Sequence, residues 1–221
     1  MKNIVTLLGP KHSSAIIRKA VEQLTAGGVI ALPTDTLYGL ACLSQSSTAV
    51  KKLYRIKARD ELKPVAICVS RVSDVSKWGR MTVSEQLLEE LLPGPVTLVF
   101  ERSAALNTEL NPGTRLVGIR IPDSWFIRQL VEHCNDQPLA LTSANVSGAQ
   151  STLAVQEFSD IWHQLAAVYD GGAIPDSHTA RLGSTVVDLS ESGVYRIIRP
   201  GCACSQTEQI LIKHGLKAVV S

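Results

Sequence analysis

Apolar residues recur along the chain at two spacings, one typical of strands and one typical of helices. Short runs rich in β-branched residues predict strands at residues 4–8, 29–32, 65–69, 96–100, 116–121, 139–141, 184–189 and 194–198, and another begins at residue 168. Apolar positions three and four residues apart predict helices at residues 13–27, 46–56, 72–78, 83–91, 153–165 and 207–214, and at 123–134 with Asp123 as the cap. This alternation, without a strict repeat, predicts an α/β or α+β domain on a mixed sheet.

Size and charge narrow the class of protein. The chain has 221 residues, 45% of them hydrophobic, and no change of composition that would mark a linker, so we expect one domain over residues 1–221. A net charge of +2 does not by itself indicate nucleic-acid binding. The five cysteines lack the paired spacing of a zinc site, and the N-terminus has neither a secretory signal nor an Arg-rich transit sequence. We therefore expect a cytoplasmic protein in a reducing setting.

Three cations lie around the connection between the predicted helix 46–56 and the next strand. Lys57 continues the apolar stripe of that helix, and Arg59 and Lys63 follow within six residues. Cations placed in this way suit a polyanion such as a triphosphate. The alternative is that Lys57 extends from the helix end and satisfies the last carbonyls of the helix. We expect neither Lys57 nor Arg59 to be a core residue.

Polar side chains follow several predicted strands. The sequence has no Gly-x4-Gly-Lys-Ser/Thr loop, no Gly-x-Gly-x-x-Gly and no Gly-x-Ser-x-Gly, and its histidines show no metal-binding spacing. Polar strand-end loops of α/β proteins converge on ligand crevices, so these segments predict a site for a ligand with phosphate, carboxylate and amine groups. The alternative is that they are ordinary turn formers. They are Thr34–Thr36 with Tyr38, the three cations, Ser143–Asn145 with Ser147 and Ser151, and Gly183–Thr185 with Arg199–Gly201, and Arg120 adds a cation from an apolar strand.

Seven segments of the sequence, several of them overlapping these polar ones, occur in the order seen in YrdC-like threonylcarbamoyl-AMP synthases. They are Pro33-Thr-Asp-Thr-Leu-Tyr-Gly39, Lys57-Ala-Arg59, Pro93-Gly-Pro-Val-Thr97, Gly118-Ile-Arg-Ile-Pro122, Thr142-Ser-Ala-Asn145, Gly183-Ser-Thr-Val-Val-Asp188 and Arg199-Pro-Gly201. The resemblance covers about residues 14–205, and the sequence of these segments looks like the animal branch of the family. It implies an α/β twisted open mixed sheet, flanked by helices, with a basic concave cavity.

The resemblance also implies an activity. Members of this family condense L-threonine, bicarbonate and ATP, with Mg²⁺ on the phosphates, to L-threonylcarbamoyladenylate and pyrophosphate. The product feeds the threonylcarbamoyl modification of the tRNA adenosine beside the anticodon, which a separate transferase complex of the KEOPS type completes. tRNA itself is not required for the first step. A mitochondrial pool would imply a longer N-terminus in the native form.

The resemblance assigns roles to ten residues of this chain. Thr36, Arg120 and Ser184 are expected to bind L-threonine, and Lys57 and Arg59 are expected to be catalytic. The nucleotide is expected to meet Lys57, Arg59, Lys63, Ser143, Asn145, Ser151 and Arg199. Lys63 stands where the common bacterial pattern has Asn. Cys68 and Leu116 also depart from that pattern and receive no role.

A site of this composition suits a reaction driven by positioning and charge. Cations can offset the repulsion between a carbamate and a triphosphate, and the residues include no nucleophile–base pair. Two other functions are open: a module that binds double-stranded RNA or tRNA without catalysis, and a regulatory nucleotide binder. The segment 173–181 has glycines on both sides and is expected to act as a mobile lid.

Overall fold

One mixed sheet organises the structure, a computed structural model that describes residues 4–6, 13–58, 63–146, 148–177 and 179–219. Its eleven strands within these residues lie in the order β1-β8-β2-β3-β7-β4-β6-β5-β9-β10-β11, with parallel and antiparallel neighbours. The predicted mixed, open α/β sheet is therefore confirmed. The strands are β1 Ile4–Thr6, β2 Ile30–Pro33, β3 Tyr38–Leu43, β4 Ala66–Cys68, β5 Val96–Glu101, β6 Leu116–Arg120, β7 Leu139–Ser143, β8 Ala167–Asp170, β9 Thr185–Asp188, β10 Val194–Arg199 and β11 Lys217–Ala218.

Helices cover both faces of the sheet, and the longer ones bury an apolar stripe. In the first helix, Ile17, Ala20 and Leu24 are buried whereas Arg18 and Lys19 are exposed. The helices are α1 Ser13–Thr25, α2 Ser47–Ile56, α3 Val75–Trp78, α4 Glu85–Leu91, α5 Trp125–His133 and α6 Cys204–Lys213, with 3₁₀ helices at Val72–Asp74, Val155–Gln164 and Ala180–Leu182. No helix in the described part of the chain is long and apolar enough to span a bilayer.

The helices leave part of one sheet face open. Helices α1 and α5 pack over β2, β3, β7 and β8, where Leu32, Leu43, Leu139 and Tyr169 join their core. Helices α2, α4 and α6 pack on the opposite face. On the face of α1 and α5, no helix covers the neighbouring strands β4, β6, β5 and β9 within the described residues, and their side chains on that face line a cavity. This uncovered region is where the candidate site lies.

Several elements differ from the sequence-based predictions, among them β11, which was not predicted. Strand β3 was not predicted, because its buried run Tyr38–Leu43 contains no β-branched residue and several small ones. The predicted α-helix at 153–165 is a 3₁₀ helix interrupted at Phe158, whose φ of −131° is not helical. The predicted cap of α5, Asp123, is one residue too early. The residue that precedes the helix is Ser124, and Asp123 pairs with Arg128 at 3.2 Å.

Candidate active site

A cavity of about 410 Å³ lies on the open part of the sheet. Because side chains alternate between the two faces of a strand, every second residue of the central strands faces it: Ala66 and Cys68 from β4, Thr97 and Val99 from β5, and Leu116, Gly118 and Arg120 from β6. The first turn after β2, the end of β7 and the segment before β9 add Thr34, Thr36, Ser143, Ser151 and Ser184. Three of the four polar segments predicted to converge contribute to this lining, and the segment with Lys57 and Lys63 does not.

One end of the cavity is built around Arg120. Its Nη2 donates to the Thr36 hydroxyl at 3.1 Å and forms a short ion pair with Asp35, and its Nε reaches the Gly94 carbonyl at 3.3 Å. The Thr34 hydroxyl accepts from the backbone N–H groups of Thr36 and Leu37, each at 3.0 Å, which fixes the turn between β2 and β3. A buried cation and a hydroxyl are therefore held side by side in the cavity wall.

A second polar group joins β5, β9 and β10. The Ser184 and Thr97 hydroxyls are 2.9 Å apart, and Nη2 of Arg199 donates to the Ser184 carbonyl at 2.8 Å and to its hydroxyl at 3.1 Å. Gly201 presses against this segment, since a Cβ there would lie 2.3 Å from the backbone carbon of Ser184. Only glycine permits such a close approach of two backbones.

Lys57 is buried beside the third polar segment. Its Nζ donates to the Ser143 carbonyl at 2.5 Å and also to the Asn145 carbonyl, and Lys57 is 1% exposed. The expectation that Lys57 lies outside the core is therefore wrong. The end of the helix directs the Lys57 side chain inward, and two main-chain carbonyls accept hydrogen bonds from its ammonium group. Asn145 donates through Nδ2 to the carbonyls of Val146 and Ala149.

Three described candidates, Lys57, Lys63 and Asn145, are not among the lining residues. Lys63 is an exposed residue outside the cavity lining, so its nucleotide role stays a prediction. Arg59 and Ser147 lie outside the described residues. Among the lining residues that the structure describes, the charged side chains are Arg120 and Arg199.

The thiols at this site are held in the neutral form. Burial raises the pKa of Cys68 to about 12, although nearby Arg120 lowers it slightly. Burial likewise raises the pKa of Cys202, near Arg120 and Arg199. A neutral thiol is a poor nucleophile.

Two residues of this site were missed by reasoning from the sequence. Asp35 lies inside the Thr34–Thr36 segment, and Thr97 ends a quoted motif, yet neither was assigned a role. Their partners lie 85 and 87 residues away, so only the fold shows that Asp35 meets Arg120 and that Thr97 meets Ser184. The sequence did contain a signal for the Asp35–Arg120 pair, because Asp35 lies between two threonines and Arg120 is a cation inside an apolar strand.

Comparison with known proteins identifies the family. The family model Sua5_yciO_yrdC, described as "Telomere recombination", matches residues 22–201. A protein of Mus musculus named threonylcarbamoyl-AMP synthase is 56% identical over 203 residues, which cover 90% of this chain and 72% of that protein. The protein of the same name from Homo sapiens has the same identity and coverage. The chain belongs to the Sua5/YciO/YrdC family. The resemblance seen in the sequence is confirmed.

A solved member of the Sua5/YciO/YrdC family has the same fold. The crystal structure of Pyrococcus abyssi Sua5 complexed with L-threonine superposes with a TM-score of 0.83 at 26% identity, over 98% of this chain. The present chain spans 62% of the length of the Pyrococcus protein. The common part therefore includes the whole sheet and the cavity described above.

Proposed function

We propose that the protein is a threonylcarbamoyl-AMP synthase that condenses L-threonine, bicarbonate and ATP to L-threonylcarbamoyladenylate and releases pyrophosphate. The observation that carries the proposal is the cavity itself: Thr36, Arg120, Ser143, Ser184 and Arg199 come from distant parts of the chain and line one space. The identity of 56% to the mouse and human synthases supports the same reaction.

The Arg120 end suits L-threonine. A guanidinium pairs well with a carboxylate, and the hydroxyls of Thr36 and Ser184 can exchange hydrogen bonds with the threonine hydroxyl. All three residues are buried, so these interactions are shielded from water. The amine of threonine then forms a bond to the carbon of bicarbonate, with loss of water, and the resulting carbamate is the nucleophile.

The other end suits the nucleotide. Ser143, Ser151 and Arg199 line the cavity, and Asn145 and Lys57 support the segment that contains Ser143. The Asn145 Oδ1 is buried and has no hydrogen-bond partner within the described residues, so a donor on the nucleotide would satisfy it. Arg59 and Lys63 complete the proposed nucleotide contacts from the adjoining connection.

The chain's cations govern the transfer step. A carbamate oxygen attacks the α-phosphorus, the bond to the bridging oxygen of the β-phosphate breaks, and pyrophosphate leaves. Arg199, Arg59 and Lys57 stabilise the charge that moves to the leaving group. In its observed position Lys57 acts through its charge and through the Ser143 segment, because a direct phosphate contact would require Nζ to leave two carbonyls.

Magnesium is proposed to arrive with ATP. Within the described residues, no group of three His, Cys, Asp or Glu side chains could hold a metal ion. The donor set therefore fits an ion held mainly by phosphate oxygens and water, as is usual for Mg²⁺ bound with a nucleotide. When bound, the ion neutralises charge on the phosphates.

The product is proposed to serve tRNA modification. A threonylcarbamoyl adenylate is an activated acyl donor, so a transferase of the KEOPS type must pass the group to the tRNA adenosine beside the anticodon. The cytoplasmic location of the protein stays a prediction. The alternative, a non-catalytic RNA-binding module, requires binding that weakens steeply with salt and ignores threonine.

Pyrophosphate release with each component omitted in turn tests the proposal. Release should require ATP, threonine and bicarbonate together, and tRNA should be unnecessary. Chromatography of the products should show the adenylate. If tRNA alone stimulates release and threonine has no effect, the synthase function is wrong and the RNA-binding function takes its place.

A further inference from the structure

Asp35 pairs with Arg120 just behind the cavity wall. The Arg120 and Asp35 side chains are only 8% and 12% exposed. Asp35 uses Oδ1 for the ion pair, and its Oδ2 is buried without a hydrogen-bond partner among the described residues. Of the two carboxylate oxygens, therefore, only Oδ1 accepts a hydrogen bond within the described residues.

Arg120 keeps one donor nitrogen, Nη1, for a ligand. Its hydrogen bonds within the described residues use Nε and Nη2, so Nη1 makes none there. Because Arg120 lines the cavity, Nη1 is the group that can donate to a ligand carboxylate. Asp35 and the Gly94 carbonyl fix the plane of the guanidinium while it does so.

The ammonium of a bound α-amino acid would be repelled by the Arg120 guanidinium. The ammonium is two bonds from the carboxylate carbon, so a carboxylate bound to Arg120 brings a positive charge close to the guanidinium. The lining residues that the structure describes carry no acidic group, and Arg199 is a second cation. In a buried site this repulsion is strong unless a negative charge lies nearby. Asp35 supplies that charge.

We infer that Asp35 determines specificity for a zwitterion: it positions Arg120 and balances its charge, so that this end of the cavity selects an α-amino acid over a carboxylate that lacks the ammonium. The inference rests on the proposed function, whose threonine site it deepens. A residue that only supported the cavity wall would change the affinities for an α-amino acid and for a carboxylate without an ammonium equally, whereas Asp35 should change their ratio.

Calorimetric titration with L-threonine and 3-hydroxybutyrate tests the inference, since the second ligand keeps the carboxylate and hydroxyl but lacks the ammonium. Wild-type protein should prefer threonine. Asp35→Asn should reduce the ratio of the two affinities by at least about tenfold, because a nearby opposite charge in a partly buried site is worth that much. Asp35→Glu should recover part of the preference. Asp123→Asn, which removes a carboxylate from the exposed pair with Arg128, should leave the ratio unchanged.

Circular dichroism and thermal unfolding establish that each variant is folded. Asp35→Ser removes the charge with a smaller side chain and is titrated in parallel, so that selectivity is measured on a folded uncharged variant. If both ligands weaken together and the ratio stays at the wild-type value, the inference is overturned and Asp35 has a structural role alone. Wild-type protein that binds threonine but releases no pyrophosphate would instead overturn the proposed function, and the affinity ratio would still decide the role of Asp35.

Discussion

The Nζ of Lys57 donates to the main-chain carbonyl of Ser143 at 2.5 Å, which ties the C-terminal end of α2 to the last residue of β7. A second bond reaches the Asn145 carbonyl. A buried ammonium therefore shapes the segment that carries two of the proposed nucleotide-binding residues. The same side chain serves folding and the site, and its substitution should affect both.

Lys57→Ala should lower turnover at least about 100-fold, because a preorganised positive charge is lost. It should also lower the free energy of unfolding by about 2–4 kcal/mol, since the change leaves two carbonyls without a donor and opens a cavity. Pyrophosphate release and urea unfolding measure the two effects. Arg59→Ala is expected to cause a similar loss of turnover, on the strength of the family resemblance.

Two further variants separate charge from packing at Lys57. Lys57→Met keeps most of the side-chain volume without the charge, so turnover per folded molecule reports on the charge. Lys51→Ala is the matched control, because its ammonium pairs with Glu109 at the surface and is 54% exposed. That control should change stability by less than about 0.5 kcal/mol. Wild-type turnover in folded Lys57→Met would contradict the role of the charge.

Gly201→Ala should destabilise the protein and weaken the site together. The added Cβ would lie 2.3 Å from the backbone carbon of Ser184 and the backbone nitrogen of Thr185, and neither atom can move independently of β9. We expect a loss of about 2 kcal/mol in unfolding free energy and a higher KM for threonine, measured by urea unfolding and steady-state kinetics. Gly27→Ala is the control: its Cβ meets open space, so only backbone strain at φ +78° remains. Unchanged stability in Gly201→Ala would contradict the close approach.

The order of elements could be predicted from the sequence, but the pairs that build the site could not. Apolar spacing located α1 and β5 to within two residues because each buries one clear face or run. It missed β3, whose residues Gly39, Ala41 and Cys42 are small and buried on both faces. The Asp35–Arg120 and Thr97–Ser184 contacts join residues that only the strand order brings together, and no local pattern encodes that order.

The segment from Ala173 to Arg181 is attached to the cavity wall through Arg181. The Arg181 Nη1 donates to the Ser151 carbonyl at 2.6 Å and to the Glu157 carboxylate at 2.9 Å. Gly172 and Gly183, at the two sides of the segment, both have positive φ angles suited to a hinge. Residue 178 lies outside the described residues. That this segment acts as a lid stays a prediction.

If the segment closes over the ligands, its amides should exchange hydrogen at least about tenfold more slowly with ATP and threonine bound. Arg181→Ala should remove much of that protection, because the attachment to Ser151 and Glu157 is lost. Lys213→Ala, which breaks the surface pair with Glu90, should leave it unchanged. Hydrogen exchange followed by mass spectrometry provides the comparison, and equal exchange with and without ligands would rule out a lid.

The threonine end should discriminate strongly in favour of a hydroxyl on the amino acid. Thr36, Thr97 and Ser184 place three buried hydroxyls along the cavity, and an analogue without a hydroxyl would lose the hydrogen bonds that we propose these hydroxyls make with the threonine hydroxyl. We expect kcat/KM to fall by at least about 100-fold from threonine to 2-aminobutyrate or valine, with serine between them. Ser184→Ala should reduce this discrimination, because one of the hydroxyls that recognises the ligand is gone. Pyrophosphate release at fixed salt, with each amino acid in turn, gives the values. Equal kcat/KM for threonine and 2-aminobutyrate would mean that these hydroxyls serve the wall of the cavity and not the recognition of the substrate.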